Sequence, residues 1–186
     1  TQAIIIVPSR ELALQIESVF KSMGTNLKVT CCYGGHLRET EENNLKQPPA
    51  LLIGTPGRLA DHIRRGNITT ASITTLILDE FDKSLELGFL DEMSFIIGAL
   101  PAIQKRILTS ATQAVEIPGF IGMNDSVTLN FLTDKDEDTG LTIKTLLSDG
   151  KDKLETLFRL LCMLGNKSTI IFCNHRNSCQ RHTPPS

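Results

Sequence analysis

Residues 75–84 read TLILDEFDKS, an apolar run that ends in three acids within four positions, Asp79, Glu80 and Asp82. A buried carboxylate costs several kcal/mol unless a hydrogen bond, a cation or a metal compensates it. The segment therefore ends either in a solvated loop or in a loop that holds something. Its apolar half, Leu76 to Leu78, is too short for a helix and has the look of a buried strand.

Four further runs of the same kind lie along the chain, at Ala3 to Val7, Val29 to Tyr33, Ala50 to Ile53 and Arg106 to Leu108. Helical patterns separate them. Leu12, Ile16, Val19, Phe20 and Met23 recur at helical spacing before Gly24, and Pro56 to Arg65 ends at Gly66. Strand alternating with helix predicts an α/β fold with a parallel sheet and helices on both faces. In such sheets ligands gather beyond the carboxyl ends of the strands.

Each of those ends is punctuated by polar residues or glycine. PSREL follows the first run, GG the second, TPGR the third, DEFD the fourth and SAT the fifth. Asp79 stands where a carboxylate holds Mg²⁺ through water, and Glu80 where one orients an attacking water. Taken alone, the pair reads equally well as acids at the start of a following helix. Ser110 and Thr112 offer hydroxyls to Asp82 or to a neighbouring loop, although each is also an ordinary turn residue.

On the other strand ends the chemistry is that of phosphate. Ser9 is an expected N-cap with Arg10 in the first turn, so amides, helix dipole and guanidinium face one anion. Thr55 is an expected cap, with Pro56 in the first helical position, Gly57 leaving the backbone bare and Arg58 adding charge. Gly34 and Gly35 offer another bare backbone. Singly, each is also explained by turn chemistry or a surface salt bridge; their recurrence at strand ends is not.

Composition limits the alternatives. The 186 residues are 40% hydrophobic and 22% charged, ordinary for a soluble globular chain. With 19 basic against 21 acidic residues the net charge is −2, so a polyanion site must be a local patch. Five cysteines without a CxxC pair do not make a secreted disulfide framework, and an intracellular, cytoplasmic location is expected. No apolar run approaches the roughly 18 residues of a membrane span. Cys173, His175, Cys179 and His182 match no common zinc spacing, and His36 and His62 read as solvated or capping residues.

Around LTDKDEDTG, 132–140, apolar content collapses, which marks an interdomain linker. SVTLNF before it reads as a last strand. LTIKTLLS, a helix from Lys153 to Leu164 and a strand STIIFC read as the start of a second α/β unit. The prolines of HTPPS should stop a helix begun near Arg176. Because the chain opens directly on a strand, it is expected to be a fragment of a longer protein.

The ordered set PSRELALQ, GG, TPGR, DEFD, SAT and IIFCNHR resembles the DEAD-box family of ATP-dependent RNA helicases. The resemblance covers nearly the whole chain. It implies a RecA-like fold: 1–131 as the later part of a first domain, 132–140 as linker and 141–186 as the start of a second. It implies ATP and Mg²⁺ as cofactors, with Asp79 serving the metal and Glu80 the attacking water. Asp82, Ser110 and Thr112 would couple nucleotide state to RNA. RNA would be held by its sugar-phosphate backbone at Ser9, Arg10, Gly34, Gly35, Thr55, Gly57 and Arg58, and in the second domain at Asn174 and Arg176.

Two departures stand out. Phe81 takes the place where the family usually has alanine, with both carboxylates and the final aspartate kept. No GxxxxGK[ST] phosphate loop occurs in the 186 residues, so the chain by itself is expected not to hydrolyse ATP. Two other readings stay open: a truncated, non-catalytic RNA-binding or interaction protein, and a DNA helicase of the same superfamily.

Overall fold

The structure is a computed structural model that describes residues 1–112, 116–123, 126–131, 142–148 and 153–173. By its internal contacts the chain divides into two compact units, Thr1–Leu129 and Asn130–Ser186.

The first unit is built on five parallel strands: β1 Ala3–Ile6, β2 Val29–Cys32, β3 Leu51–Gly54, β4 Thr75–Leu78 and β5 Lys105–Leu108. They lie in the order β2-β3-β1-β4-β5. All five agree with the sequence reading to within one residue at each end. They are joined through helices α1 Arg10–Ser22, α2 Arg38–Leu45, α3 Pro56–Arg64, and the pair α4 Phe81–Glu86 and α5 Leu90–Gly98. A short 3₁₀ turn covers Gly119–Ile121.

Alternation along each strand divides the core between the two faces. Ile4 and Ile6 of β1 join Leu52, Leu76 and Leu78 on one face, beneath Leu59 and Ala60 of α3 and Met93, Ile96 and Ile97 of α5. Ile5 and Val7 join Leu51 and Ile53 on the other, beneath Leu12, Ala13, Ile16 and Phe20 of α1. A strand buried on both faces must be apolar at every position, which is why these runs are continuous.

The helix ends follow the local chemistry only in part. Ser9 caps α1 as expected, its hydroxyl accepting from the Leu12 amide at 3.2 Å. Thr55 occupies the N-cap position of α3, with Pro56 first in the helix, but its side chain makes no capping bond. That expectation is corrected: the Thr55 carbonyl accepts from Leu59 at 3.0 Å, and proline in the first position already removes one amide donor.

Register aligns the strand ends. Ile6 pairs with Gly54 on one side and Leu78 on the other, while Cys32 pairs with Gly54 and Leu78 with Leu108. The five carboxyl ends therefore form one edge, with neighbours about 4.8 Å apart. At that edge Gly54 is required by space: a Cβ there would sit 2.3 Å from the Cys32 carbonyl oxygen and 2.9 Å from Leu59 Cγ.

In the second unit, α6 Leu154–Leu164 forms where the sequence placed it, and none of its residues is buried. The expected strands at 126–131 and 168–173 are absent, as is any strand in 142–148. Apolar content alone does not make a strand, which also needs a regular backbone ladder. The expected linker 132–140 and the helix near Arg176 lie outside the described residues.

Candidate active site and nucleic-acid interface

The acidic loop leaves β4 under backbone strain. Asp79 still belongs to the sheet, its amide donating to the Ile6 carbonyl at 3.0 Å. Glu80 then turns left-handed, with φ 47° and ψ 50°, before α4 begins at Phe81. A non-glycine residue in that region costs on the order of 1–3 kcal/mol and persists only where its surroundings impose it. Here the imposing residue is Thr109, directly beyond β5. Its hydroxyl accepts from the Glu80 amide at 3.1 Å and donates to an Asp79 carboxylate oxygen. Its carbonyl accepts from the Phe81 amide at 3.2 Å. Sequence reasoning passed over Thr109 in favour of the two hydroxyls that follow it; the signal was its place as the first residue after a strand, beside the acid loop.

Glu80 is exposed and Asp79 half-buried, so both carboxylates can be reached from solvent. Phe81, the departure from the family pattern, turns into the core and is buried there. The bulk of its ring thus lies away from the two acids.

Asp82 is 6% exposed and accepts from the Thr112 hydroxyl at 3.0 Å. Ser110 braces that contact, donating to the Thr112 carbonyl at 2.8 Å and accepting from its amide at 3.1 Å. Burial pushes the Asp82 carboxyl up. Hydrogen bonds from Ser110, Thr112 and the amides of Lys83 and Asp82 outweigh that, leaving it below the usual carboxylate range. The structure thus joins Asp82, Ser110 and Thr112 as the sequence suggested.

The other three strand ends form a second cluster on β1, β3 and β2. Arg10 lies over the Tyr33 ring, 5.1 Å from its centroid, and the edge of His36 meets the same ring at 4.6 Å. Gly35 takes φ 95°, and a Cβ on it would reach 3.4 Å from Arg10 Nη1. At Gly34 and Gly57 a Cβ would meet nothing within 4 Å, and neither has a positive φ. Packing does not require glycine at those two positions; its effect is to keep the main chain bare toward solvent.

Arg58 turns inward. Its Nε donates to the Tyr33 carbonyl at 3.3 Å and its Nη2 to the His36 carbonyl at 3.2 Å. The Nε also lies 3.3 Å from Glu41 Oε2. His62 is fully buried with its Nε2 2.6 Å from the same oxygen, and His36 Nε2 lies 3.0 Å from Glu41 Oε1. The expectation that both histidines are solvated or capping is corrected for His62, and His36 is half-buried in an ion-pairing position. Read singly, neither shows that Glu41 lies beneath it.

Cys32, Glu41 and His62 bring a sulfur, an oxygen and a nitrogen within 4.8 Å of one another. The group is a poor metal site. Glu41 is already surrounded by donors, the Arg58 guanidinium opposes a cation, and burial with the nearby Glu41 charge pushes the Cys32 thiol up. Asn174 and Arg176, and the His175, Cys179 and His182 of the zinc pattern, lie outside the described residues.

Comparison with known proteins finds relatives along most of the chain. Residues 1–118 match the model of the DEAD/DEAH box helicase family. The chain belongs to that family. This DEAD/DEAH box chain is 31% identical over 185 residues to the ATP-dependent RNA helicase RhlB of Shewanella sp. strain W3-18-1, covering 96% of the chain and 42% of the relative. It is 30% identical over 184 residues to the ATP-dependent RNA helicase DbpA of Escherichia coli K12, covering 97% of the chain and 40% of the relative. It thus spans about two fifths of the length of the curated relatives it matches.

Among solved structures, a hypothetical ATP-dependent RNA helicase from Sulfolobus tokodaii superposes with a TM-score of 0.57 at 32% identity, covering 64% of this chain and 36% of that one. The DEAD-box helicase Mss116, bound to ssRNA and UDP-BeF, gives a TM-score of 0.54 at 30% identity, covering 59% and 25%. The parallel sheet of the first unit is thus that of the RecA-like helicase domains.

Proposed function

We propose that this chain is part of an ATP-dependent RNA helicase and carries its RNA-gripping face beside one wall of its nucleotide cleft. The observation that carries the reading is the division of one sheet edge. Bare glycine backbone and two arginines stand on β2, β3 and β1, while the acids and their hydroxyl partners stand on β4 and β5. In this reading residues 1–131 belong to a first RecA-like domain and 141–186 open a second.

RNA lies along the second cluster, held by the helix N-terminus at Ser9, by the Arg10 guanidinium, and by main chain at Gly34, Gly35, Thr55 and Gly57, with Arg58 beneath. Contacts of this kind engage phosphate and sugar, so they are nearly blind to sequence and weaken with salt. The kinship with ATP-dependent RNA helicases, and with a DEAD-box helicase solved with ssRNA, supports RNA as the polymer. Asn174 and Arg176 are assigned to RNA by the family resemblance alone.

Asp79, a hard carboxylate at a strand end, fits Mg²⁺ held through water, which when bound would neutralise charge on phosphate oxygens. Glu80, exposed on a left-handed backbone that Thr109 holds, orients the attacking water. Asp82 bridges through Thr112 and Ser110 to the loop after β5, so a displacement of one loop is felt by the other. ATP is the nucleotide, and the place of action is intracellular.

The test is fluorescence anisotropy of a short labelled single strand titrated with the 186-residue chain over a salt series. RNA binding that falls as salt rises, with weaker binding to DNA of the same sequence, is expected. Equal affinity for both polymers favours the DNA-helicase reading, and no binding to either overturns the proposal. Phosphate release from ATP by this chain alone should be absent with and without RNA, because no phosphate loop occurs in its sequence.

A further inference from the structure

The buried acid of the second cluster has no place in the chemistry described so far. Glu41 sits on α2, 1% exposed, at a position where a polar helix faces the core. Its two oxygens collect donors from two loops. Oε1 accepts from the Tyr33 amide at 2.8 Å and lies 3.0 Å from His36 Nε2, both in the double-glycine loop. Oε2 takes His62 Nε2 at 2.6 Å and Arg58 Nε at 3.3 Å, both on α3.

The proton arrangement can be read from the neighbours. Asn67 Nδ2 lies 3.4 Å from Glu42 Oε1 and 3.1 Å from His62 Nδ1. An amide nitrogen facing a carboxylate is the donor, so His62 Nδ1 accepts and Nε2 carries the hydrogen toward Glu41. Asn67 thereby fixes the ring so that it serves Glu41. Two of the three Arg58 guanidinium nitrogens are also spent inside the protein, on Glu41, Tyr33 and His36.

We propose that Glu41 is a positioning residue for RNA: it contacts no nucleotide, but ties the Tyr33–His36 loop to the first turns of α3 so that their bare glycines present one continuous phosphate track. Arg58 acts in this arrangement chiefly as the clamp between the two loops. Tyr33 carries the tie on to Arg10, which lies over its ring. The inference rests on the RNA reading above. Removing Glu41 leaves the Tyr33 amide and the His62 ring without their acceptor and the Arg58 charge uncompensated, so the two loops separate.

The experiment compares the unsubstituted chain with Glu41→Ala, Glu41→Gln and Met93→Ala. Met93 is fully buried on α5 among the core residues of the sheet face and serves as a control for lost stability. Single-stranded RNA affinity is read by anisotropy at a temperature where circular dichroism shows each variant folded. Glu41→Ala should bind about tenfold more weakly. Glu41→Gln, which keeps an acceptor for the Tyr33 amide but no charge for Arg58, should fall between the two. Met93→Ala should bind as the unsubstituted chain does.

Amide exchange should quicken together at 33–36 and 55–58 in Glu41→Ala while β1 keeps its protection. Should Glu41→Ala not fold, Glu41→Gln alone decides. Native affinity in a folded Glu41 variant, or an equal loss in Met93→Ala, overturns the inference and leaves RNA binding intact. If the unsubstituted chain binds no RNA, the RNA reading itself falls and takes this inference with it.

Discussion

The Thr109 hydroxyl donates to the carboxylate of Asp79, a residue thirty positions earlier on the neighbouring strand. The same oxygen accepts from Glu80, so one side chain fixes the direction of one acid and the backbone of the next. Thr109→Val should cost about 1 kcal/mol in urea unfolding, the ordinary worth of a hydrogen bond at a solvent-exposed site. Thr109→Ser should restore most of it. An unchanged midpoint in the valine variant would show that the acid loop holds its shape without this hydroxyl.

Two glycines at one strand end should respond in opposite ways. Gly54→Ala drives a Cβ into the Cys32 carbonyl and should cost about 3 kcal/mol, the upper end for overpacking. Gly57→Ala meets nothing in the protein and replaces a poor helix former within α3, so it should leave stability unchanged or raise it by up to about 1 kcal/mol. The same Gly57→Ala should weaken RNA binding, since a methyl group then stands on the bare main chain. A stability loss at Gly57 would contradict the geometry.

Acid sensitivity should trace in part to Asp82. Its folded-state carboxyl lies below the ordinary value, so the protonated fraction is larger in the unfolded chain at any pH between the two. The resulting stabilisation is complete above about pH 4, the unfolded value, and is lost as pH falls through the depressed folded value. Asp82→Asn should remove this part of the acid slope in urea unfolding measured from neutrality downward, and Thr112→Val should reduce it. A slope identical in all three proteins would refute the assignment.

Thiol reactivity should separate the cysteines by their surroundings. Burial, followed by the charge of Glu17, pushes the Cys31 thiol up to about 12, and burial pushes the Cys32 thiol up as well. Since the thiolate is the reacting form, both should resist a thiol reagent near neutrality, whereas Cys162 is exposed and should react at once. Mass mapping after a short exposure reads the pattern. Early labelling at Cys31 would show that α1 opens readily from β2.

The sheet was legible because burial on both faces forces every position of Ile4 to Val7 or Leu51 to Ile53 to be apolar, a pattern that survives without knowledge of neighbours. The placement of Asp79, Gly34 and Arg58 along one edge was legible for the same reason: in parallel strands the turn residues must follow the apolar run. What escaped was pairwise. Helix α2 shows no apolar period, because Glu41 occupies the core-facing position that Leu45 occupies one turn later. Its meaning appears only with Arg58 and His62 beside it. Thr109 was hidden likewise, since nothing in its own segment shows the Glu80 amide. In 126–131 and 168–173 the error ran the other way: apolar residues were present, but no strand formed.

Glu80 holds its left-handed turn although glycine would adopt it at no steric cost. Glu80→Gly should therefore raise the unfolding free energy by about 1 kcal/mol, and Glu80→Asn by less, while each removes the carboxylate the proposed reaction uses. Selection for thermal tolerance alone would erode this position first. The backbone strain at Glu80 is the conformational cost at which this chain keeps an acid in that position.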